Sequence, residues 1–324
     1  MRTQEELEVN ISKQRAWNNQ PNVFVRFIKN VRKDKQLVLI ILPVLIYFIV
    51  FHYVPMYGLL IAFKNFQPMK GIMGSDWAGL QYFAEFFNSI YFWRLLRNTI
   101  LISIYSLFWG FPAPIIFALM LNELKDRLFK KTVQTISYLP HFISLVVTVG
   151  MIVTFTSPLD GVINVFVTWF GWDPINFMSE SGWFRTIYVS SGVWQSFGWG
   201  SIIYLAALSG INPQLYEAAD MDGAKRWAKV RYITIPGLMP TIIILFILNI
   251  GQLLDVGIEK ILLLYSPATY ETGDVIGTYV YRRGVLNSEF SYAAAVGLFN
   301  NVINLCLLIS ANYISRRVSE TSLW

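Results

Sequence analysis

Two long apolar stretches of the chain are joined by a polar segment, Asn212-Pro-Gln-Leu-Tyr-Glu-Ala-Ala-Asp-Met-Asp-Gly-Ala-Lys-Arg-Trp-Ala-Lys-Val-Arg-Tyr-Ile-Thr-Ile-Pro236. Asn212 is suited to cap a helix, and Pro213 costs nothing at the first helical position, where an N–H has no partner. Gly223 is placed to end or bend that helix, and Pro236 leads into the next apolar stretch. The segment therefore predicts a helix–turn–helix that protrudes from a membrane between two spans.

The composition of the whole chain agrees with a membrane location. Of its 324 residues, 55% are hydrophobic and 14% are charged, with a mean hydropathy of +0.47. Soluble domains carry about 25% charged residues, so this chain lacks the surface that a soluble enzyme needs. Its 11 Trp, 17 Tyr and 24 Phe residues suit helices anchored at membrane interfaces. The net charge of +6 does not indicate a nucleic-acid partner, because basic residues in a membrane protein report its orientation.

Six stretches are long and apolar enough to cross a hydrocarbon core, which needs roughly 20 residues in a helix. They run from about Leu37 to Phe63, Asn98 to Leu121, Val133 to Ser157, Phe184 to Ile211, Gly237 to Gly257 and Ala293 to Ser315. We therefore predict an all-α integral membrane protein with six transmembrane helices. Residues 37–324 form one membrane domain, preceded by a basic tail, residues 1–36, that does not resemble a cleavable signal peptide.

The basic residues predict the orientation of the spans. Most of the 26 Lys and Arg residues lie in the tail, in the loops after the second and fourth spans, and at the C-terminus. By the positive-inside rule, both termini of this multi-pass chain are cytoplasmic. A basic tail also suits contact with anionic membrane lipid.

The loop between the fourth and fifth spans resembles a known family pattern. Glu217-Ala218-Ala219, three residues, Gly223, nine residues, Ile233, one residue and Ile235-Pro236 match the EAA loop of ATP-binding-cassette (ABC) importer permeases, with Ile235 in place of Leu. Shorter motifs resemble the branch of sugar permeases that import complex oligosaccharides, including those of bacterial alginate importers. These motifs are Tyr53 to Gly58, Ala62 to Lys64, Arg97 to Thr99, Leu121 to Glu123 and Ser137 to Ser144.

The resemblance implies a type I ABC importer permease fold in a bacterial inner membrane. It implies that a cytoplasmic coupling helix in the EAA loop, residues 212–236, docks on a separate ATPase. The coupling residues would be Glu217, Ala218, Ala219, Asp222, Gly223 and Ala224. The implied partners are a second, similar permease subunit, an ATPase dimer, an extracytoplasmic solute-binding protein and an oligosaccharide.

The chain contains no sequence of the form G-x-x-x-x-G-K-[ST] and therefore has no P-loop for ATP. We expect no cofactor in this chain, with ATP and Mg bound by the partner ATPase. One cysteine and two histidines also argue against a metal site or nucleophilic catalysis, so the chain is not expected to be an enzyme.

Polar residues within the spans are the candidates for a substrate pathway, because burying them in a membrane costs free energy. The fourth and fifth spans carry Trp194, Gln195, Ser196, Trp199, Asn249, Gln252 and Asp255. Aromatic faces, amides and hydroxyls suit sugars, but the same groups also join helices by hydrogen bonds. Asp255 disfavours a polyanionic substrate unless the Asp255 carboxylate is protonated or paired. A neutral oligosaccharide is therefore kept as an alternative substrate.

Two further interpretations remain open. An ion-gradient-driven secondary transporter would act without an ATPase, but it usually shows deep ionisable residues and an internal repeat. We find no repeat, and Asp255 is the deep candidate. In the loop after the fifth span, Tyr281-Arg282-Arg283-Gly284 is either a rim for a substrate-delivering protein or a solvated loop.

Overall fold

The computed structural model describes residues 35–318, which divide after Leu60 into two compact units. The first unit contains most of one apolar helix, α1, Lys35–Phe63, whose last residues belong to the second unit. The helix is α-helical over Lys35–Phe48, π-helical over Ile49–Tyr53 and 3-10 over Tyr57–Phe63. Pro55 has no N–H to donate to the carbonyl one turn earlier, so the α-helical hydrogen-bond pattern is interrupted and the helix type changes around this residue.

The second unit begins with a short cap of mixed structure. Strands β1, Lys64–Asn65, and β2, Asp76–Trp77, pair antiparallel, and α2, Gly71–Gly74, lies between them. The rings of Phe63 and Trp77 stack with centroids 5.9 Å apart. Helix α3, Gln81–Phe87, completes the cap.

The rest of the second unit is helical. Its helices are α4 Phe92–Asn122, α5 Arg127–Tyr138, α6 Leu145–Phe155, α7 Val162–Trp169, α8 Ser181–Ser209, α9 Pro213–Met221, α10 Arg226–Gly251, α11 Ile258–Leu264, α12 Tyr270–Gly273, α13 Ile276–Tyr281 and α14 Phe290–Val318. Short 3-10 turns lie at Leu139–Phe142 and Pro267–Thr269, and π-helical turns at Val230–Thr234 and Arg282–Leu286.

The number of apolar spans differs from the six predicted. Within residues 35–318, four helices are long and apolar enough to cross a membrane, namely α1, α4, α10 and α14. Counting the bent pair α5–α6 as one span makes five. Helix α8 has 29 residues, about 44 Å at 1.5 Å per residue, but it is too polar to meet the same standard.

The predicted third and fifth spans also have different bounds. The third is broken after Phe142, where Pro140 lies in a 3-10 turn, and α5 and α6 meet at 100°. The Ser144 hydroxyl accepts a hydrogen bond from Val147 N at 3.3 Å and so starts a new helix. The predicted fifth span ends at Gly251 rather than Gly257.

Helix α8 is the element against which much of the second unit packs. It contacts α4, α5, α10, α11 and α12. One buried cluster on it joins Ile102 of α4, Tyr188 of α8 and Ile261 of α11. The closest approach is at Gly198, where an added Cβ would lie 2.0 Å from the carbonyl oxygen of Ser137 in α5. Helices α5 and α8 therefore meet at a distance that only glycine permits.

We expect Gly198→Ala to lower the stability of the protein by about 1–3 kcal/mol, because the new methyl group displaces backbone and not a flexible side chain. Thermal unfolding of the purified protein in detergent measures this. Gly150→Ala in α6 is the matched control, since nothing lies within 4 Å of its Cβ position. Equal melting temperatures for the two variants would contradict the close approach.

Candidate functional site

The segment 212–236 folds as the helix–turn–helix that its sequence predicts. The Asn212 side chain accepts a hydrogen bond from Gln214 N at 3.0 Å and caps α9. Gly223 has a φ of +75° and ends the helix. Ala224 N donates to Ala219 O at 2.8 Å and Gly223 N donates to Asp220 O at 3.1 Å, which is the hydrogen-bond pattern of a Schellman motif.

Side-chain contacts fix this loop to the base of the bundle. Lys229 Nζ lies 2.6 Å from Asp220 Oδ1 and joins the two arms of the loop. The hydroxyls of Tyr216 and the buried Thr234 are 3.0 Å apart. Arg226 reaches Glu123 beyond the end of α4, at 3.3 Å. The loop is therefore connected to both α4 and α10, and a force applied at its tip reaches both helices.

The tip of the loop is open. Glu217, Ala218, Asp222 and Gly223 are exposed, whereas Ala219 and Ala224 are half-buried. Met221 is 89% exposed beside the turn, and a Cβ added at Gly223 would meet nothing within 4 Å. Small side chains and an exposed apolar group on a rigid turn suit contact with another protein.

Four of the seven substrate-pathway candidates line one cavity of about 280 Å³ between α4, α8 and α10. These are Ser196, Asn249, Gln252 and Asp255. Gln252 and Asp255 follow the last residue of α10, so they do not continue its helical face. Among residues 35–318, the Asp255 carboxylate has no ion pair, so a negative charge faces this cavity.

The other three candidates lie elsewhere. Trp194 lines two apolar grooves on the flanks of α8. Gln195 donates to Ile143 O at 3.0 Å, and the Trp199 ring stacks on His141 with centroids 4.7 Å apart. In this structure, Gln195 and Trp199 hold the break between α5 and α6.

Sequence reasoning missed three polar residues of the cavity. Ser103 and Ser106 of α4 and Tyr188 of α8 also line it. The two serines are three residues apart within an apolar span, so they share one helix face. This spacing alone could have identified them as candidates for the cavity wall. The position of Tyr188 opposite α10 depends on packing between distant segments.

The segment after α10 contains a buried ion-pair network. Asp274 is fully buried and binds Arg282 through two hydrogen bonds of 2.7 and 2.9 Å, with Arg94 at 3.4 Å. Burial acts to lower the pKa of Arg282, but the hydrogen bonds to Asp274 and Tyr265 outweigh it and raise that pKa. Arg283 pairs with Glu289 at 2.6 Å. Arg282 and Arg283 join the loop to itself and Arg94 joins it to α4, which does not fit the solvated-loop interpretation.

Among residues 35–318, no three His, Cys, Asp or Glu side chains come together in a way that could hold a metal ion.

Comparison with known proteins assigns the family. Residues 110–320 match the model of the binding-protein-dependent transport system inner membrane component. Two similar proteins of Bacillus subtilis are Protein LplB, 40% identical over 93% of this chain and 94% of its own, and the polygalacturonan/rhamnogalacturonan transport system permease protein YteP, 42% identical over 92% and 93%. A crystal structure of the bacterial alginate ABC transporter in complex with alginate pentasaccharide-bound periplasmic protein contains a chain that is 45% identical, with a TM-score of 0.85 over 92% of this chain and 100% of its own.

The chain belongs to the family of binding-protein-dependent transport system inner membrane components, the permeases of ABC importers. This confirms the predicted fold class, with the correction to the number of apolar spans. It also confirms a membrane transport subunit rather than an enzyme, and a location in the inner membrane. The secondary-transporter interpretation is wrong, because members of this family are subunits of ABC systems.

We expect Asp274→Asn to destabilise the protein by about 3–5 kcal/mol, because it removes a buried anion and leaves two half-buried arginines without their partner. Asp76→Asn is the control, since Asp76 pairs with Lys70 at 3.6 Å with 75% of its side chain exposed and should cost less than about 1 kcal/mol. Melting temperatures in detergent compare the two. Similar losses would show that the Asp274 network contributes no more than a surface pair.

Proposed function

We propose that this chain moves an oligosaccharide into the cytoplasm by alternating access, driven by a separate ATPase that docks on its EAA loop. The observation that carries the proposal is the loop itself, with an open glycine turn at its tip and fixed contacts at its base. The coupling residues are those that the family resemblance implies, Glu217 to Ala219 and Asp222 to Ala224.

The coupling route follows one helix. Helix α10 begins at the EAA loop and ends at Gly251, directly before Gln252 of the cavity. Its 26 residues span about 39 Å at 1.5 Å per residue. A displacement of α9 by the ATPase would be transmitted along α10 to the wall of the cavity, because α9 is joined to the start of α10 by the Asp220–Lys229 and Tyr216–Thr234 contacts and Asn249 of the cavity lies near its end.

The substrate class follows from the cavity lining and from the relatives. Hydroxyl, amide and carboxylate groups of Ser196, Asn249, Gln252 and Asp255 suit the hydroxyls of a sugar. Relatives carry the names of polygalacturonan/rhamnogalacturonan and alginate transporters. These names support an oligosaccharide, alginate fragments among them.

The proposed assembly contains a second permease subunit, an ATPase dimer that binds ATP and Mg, and an extracytoplasmic solute-binding protein. The complex of the similar alginate transporter with a periplasmic protein supports the last of these partners. We also propose that both termini are cytoplasmic, as the distribution of basic residues predicts.

Replacing Gly223 by Leu should release the ATPase from the complex, because the side chain would occupy the docking surface. The measurement is co-purification of the ATPase with the tagged chain from native membranes in mild detergent. We expect loss of the ATPase and of transport, with the second permease subunit retained.

Gly171→Leu is the matched control. Gly171 has a φ of +82° and open space at its Cβ position, so the backbone strain is similar, but it lies in the outer segment after α7. If both variants lose the ATPase equally, strain and not docking explains the effect. If Gly223→Leu keeps the ATPase, α9 is not the coupling helix.

The Asp255→Asn variant should take up acidic oligosaccharides, relative to neutral ones, better than the unchanged protein does. A uronate about 8 Å from Asp255 is repelled by about 2 kcal/mol at an effective dielectric constant near 20, which corresponds to roughly 30-fold in binding. Competition between the two sugars in uptake by vesicles, with the complete transporter and its binding protein, measures the preference. Asp173→Asn, an exposed residue of the outer segment, is the control. An unchanged preference would place the substrate away from Asp255.

A further inference from the structure

Helix α5 differs in composition from α6, the helix on the other side of the break. It combines basic residues with large apolar ones, and none of its side chains is buried. Leu128 is 79% exposed and Ile136 is 62% exposed, eight residues further along the same helix face. Arg127 is exposed on the opposite side of the helix from Ile136, nine residues before it. The helix is therefore amphipathic, with an apolar face that the second unit leaves uncovered.

The bend in the chain fixes how α5 can lie in a membrane. Helices α5 and α6 meet at 100°, so when one of them runs along the membrane normal the other lies close to the membrane plane. Helix α6, Leu145–Phe155, contains no charged residue, whereas α5 contains three basic residues. Charged side chains are costly in the hydrocarbon core, so α5 is the helix that lies in the plane.

The bend is built into the protein by contacts from α8. Gln195 donates to Ile143 O at the break and lies 3.4 Å from Thr148 Oγ1 of α6. Trp199 stacks on His141, and Gly198 allows the Ser137 carbonyl to approach closely. At its other end, α5 is capped by Asp126, whose carboxylate accepts from Leu128 N at 2.8 Å. Helix α5 is thus held in one orientation.

The location of α5 indicates which lipid surface it meets. It begins four residues after Glu123, which pairs with Arg226 in the EAA loop. Lys125, Arg127, Lys130 and Lys131 have no ion pair within residues 35–318. Exposed apolar side chains beside unpaired basic ones match an amphipathic helix at an anionic lipid interface.

We propose that α5 is an interfacial helix that binds anionic lipid of the leaflet on the EAA-loop side. Leu128, Phe129 and Ile136 enter the acyl region, and the basic residues at its start contact lipid headgroups. The helix thereby sets the membrane depth of one end of the broken span.

The test measures the depth of single positions in the complete transporter reconstituted into vesicles. Cys306, the one cysteine of the chain, is first replaced by serine. Nitroxide labels are then attached to Leu128→Cys and Ile136→Cys on the apolar face and to Arg127→Cys as the matched control on the basic face. Frequent collisions of a label with oxygen show that it lies in hydrocarbon, and frequent collisions with a water-soluble nickel chelate show that it lies in water.

In vesicles of phosphatidylethanolamine and phosphatidylglycerol, we expect the oxygen-to-nickel collision ratio to be several-fold higher at 128 and 136 than at 127. In vesicles of phosphatidylcholine alone, the ratio at 128 and 136 should fall. Labels at 128 and 136 that nickel reaches as readily as at 127 would overturn the proposal. Labels that neither probe reaches would also overturn it, since a protein subunit would then cover this face. Equal collision ratios in the anionic and the phosphatidylcholine vesicles would overturn the proposal that the basic residues of α5 bind anionic headgroups.

Discussion

A break in a helix inside a membrane leaves carbonyl and amide groups without partners, and hydrocarbon offers none. The arrangement of this chain depends on how one such break is satisfied. Between α5 and α6, the side chain of Gln195 donates to Ile143 O, and the Ser144 hydroxyl accepts from Val147 N. Pro140 and Ser144 make the break locally, and packing of α8 supplies the Gln195 donor for a carbonyl that the break leaves free. The direction of α5 and the position of α6 both follow from this contact.

The same constraint explains why α8 is too polar to count as an apolar span. Its serines bond to carbonyls of their own helix, such as Ser196 to Gly192 O at 2.7 Å. The buried Lys260 of α11 donates to Tyr188 O at 3.0 Å, beside Gly192, which leaves room for the ammonium group. A helix with such partners is an interior helix of a bundle and meets protein on several sides. A polar residue on α8 is therefore as often a packing contact between helices as a contact with substrate.

The two regions with functional geometry lie at opposite ends of α10. At one end the chain turns at Gly223 and returns through contacts of Tyr216 with Thr234 and of Arg226 with Glu123. At the other end, Asn249 and Gln252 face the cavity. The helix between them packs along α14, where Leu308 lies so close to Gly251 that an added Cβ would come within 2.7 Å. One packed helix thus joins the EAA loop to a cavity wall.

Local sequence determined the helix–turn–helix of residues 212–236, because an Asn-Pro start and a glycine stop act through neighbouring backbone groups. It also determined the membrane class and the family, since both rest on composition and on a contiguous motif. Tertiary structure alone decided that Gln195 and Trp199 hold the α5–α6 break, that Ser103, Ser106 and Tyr188 join the cavity, and that Asp274 gathers Arg94 and Arg282. These groups are far apart in the chain, and apolar periodicity does not encode which faces meet. For the same reason, six apolar stretches could be read from the sequence, but neither the 100° bend nor the interior position of α8 could.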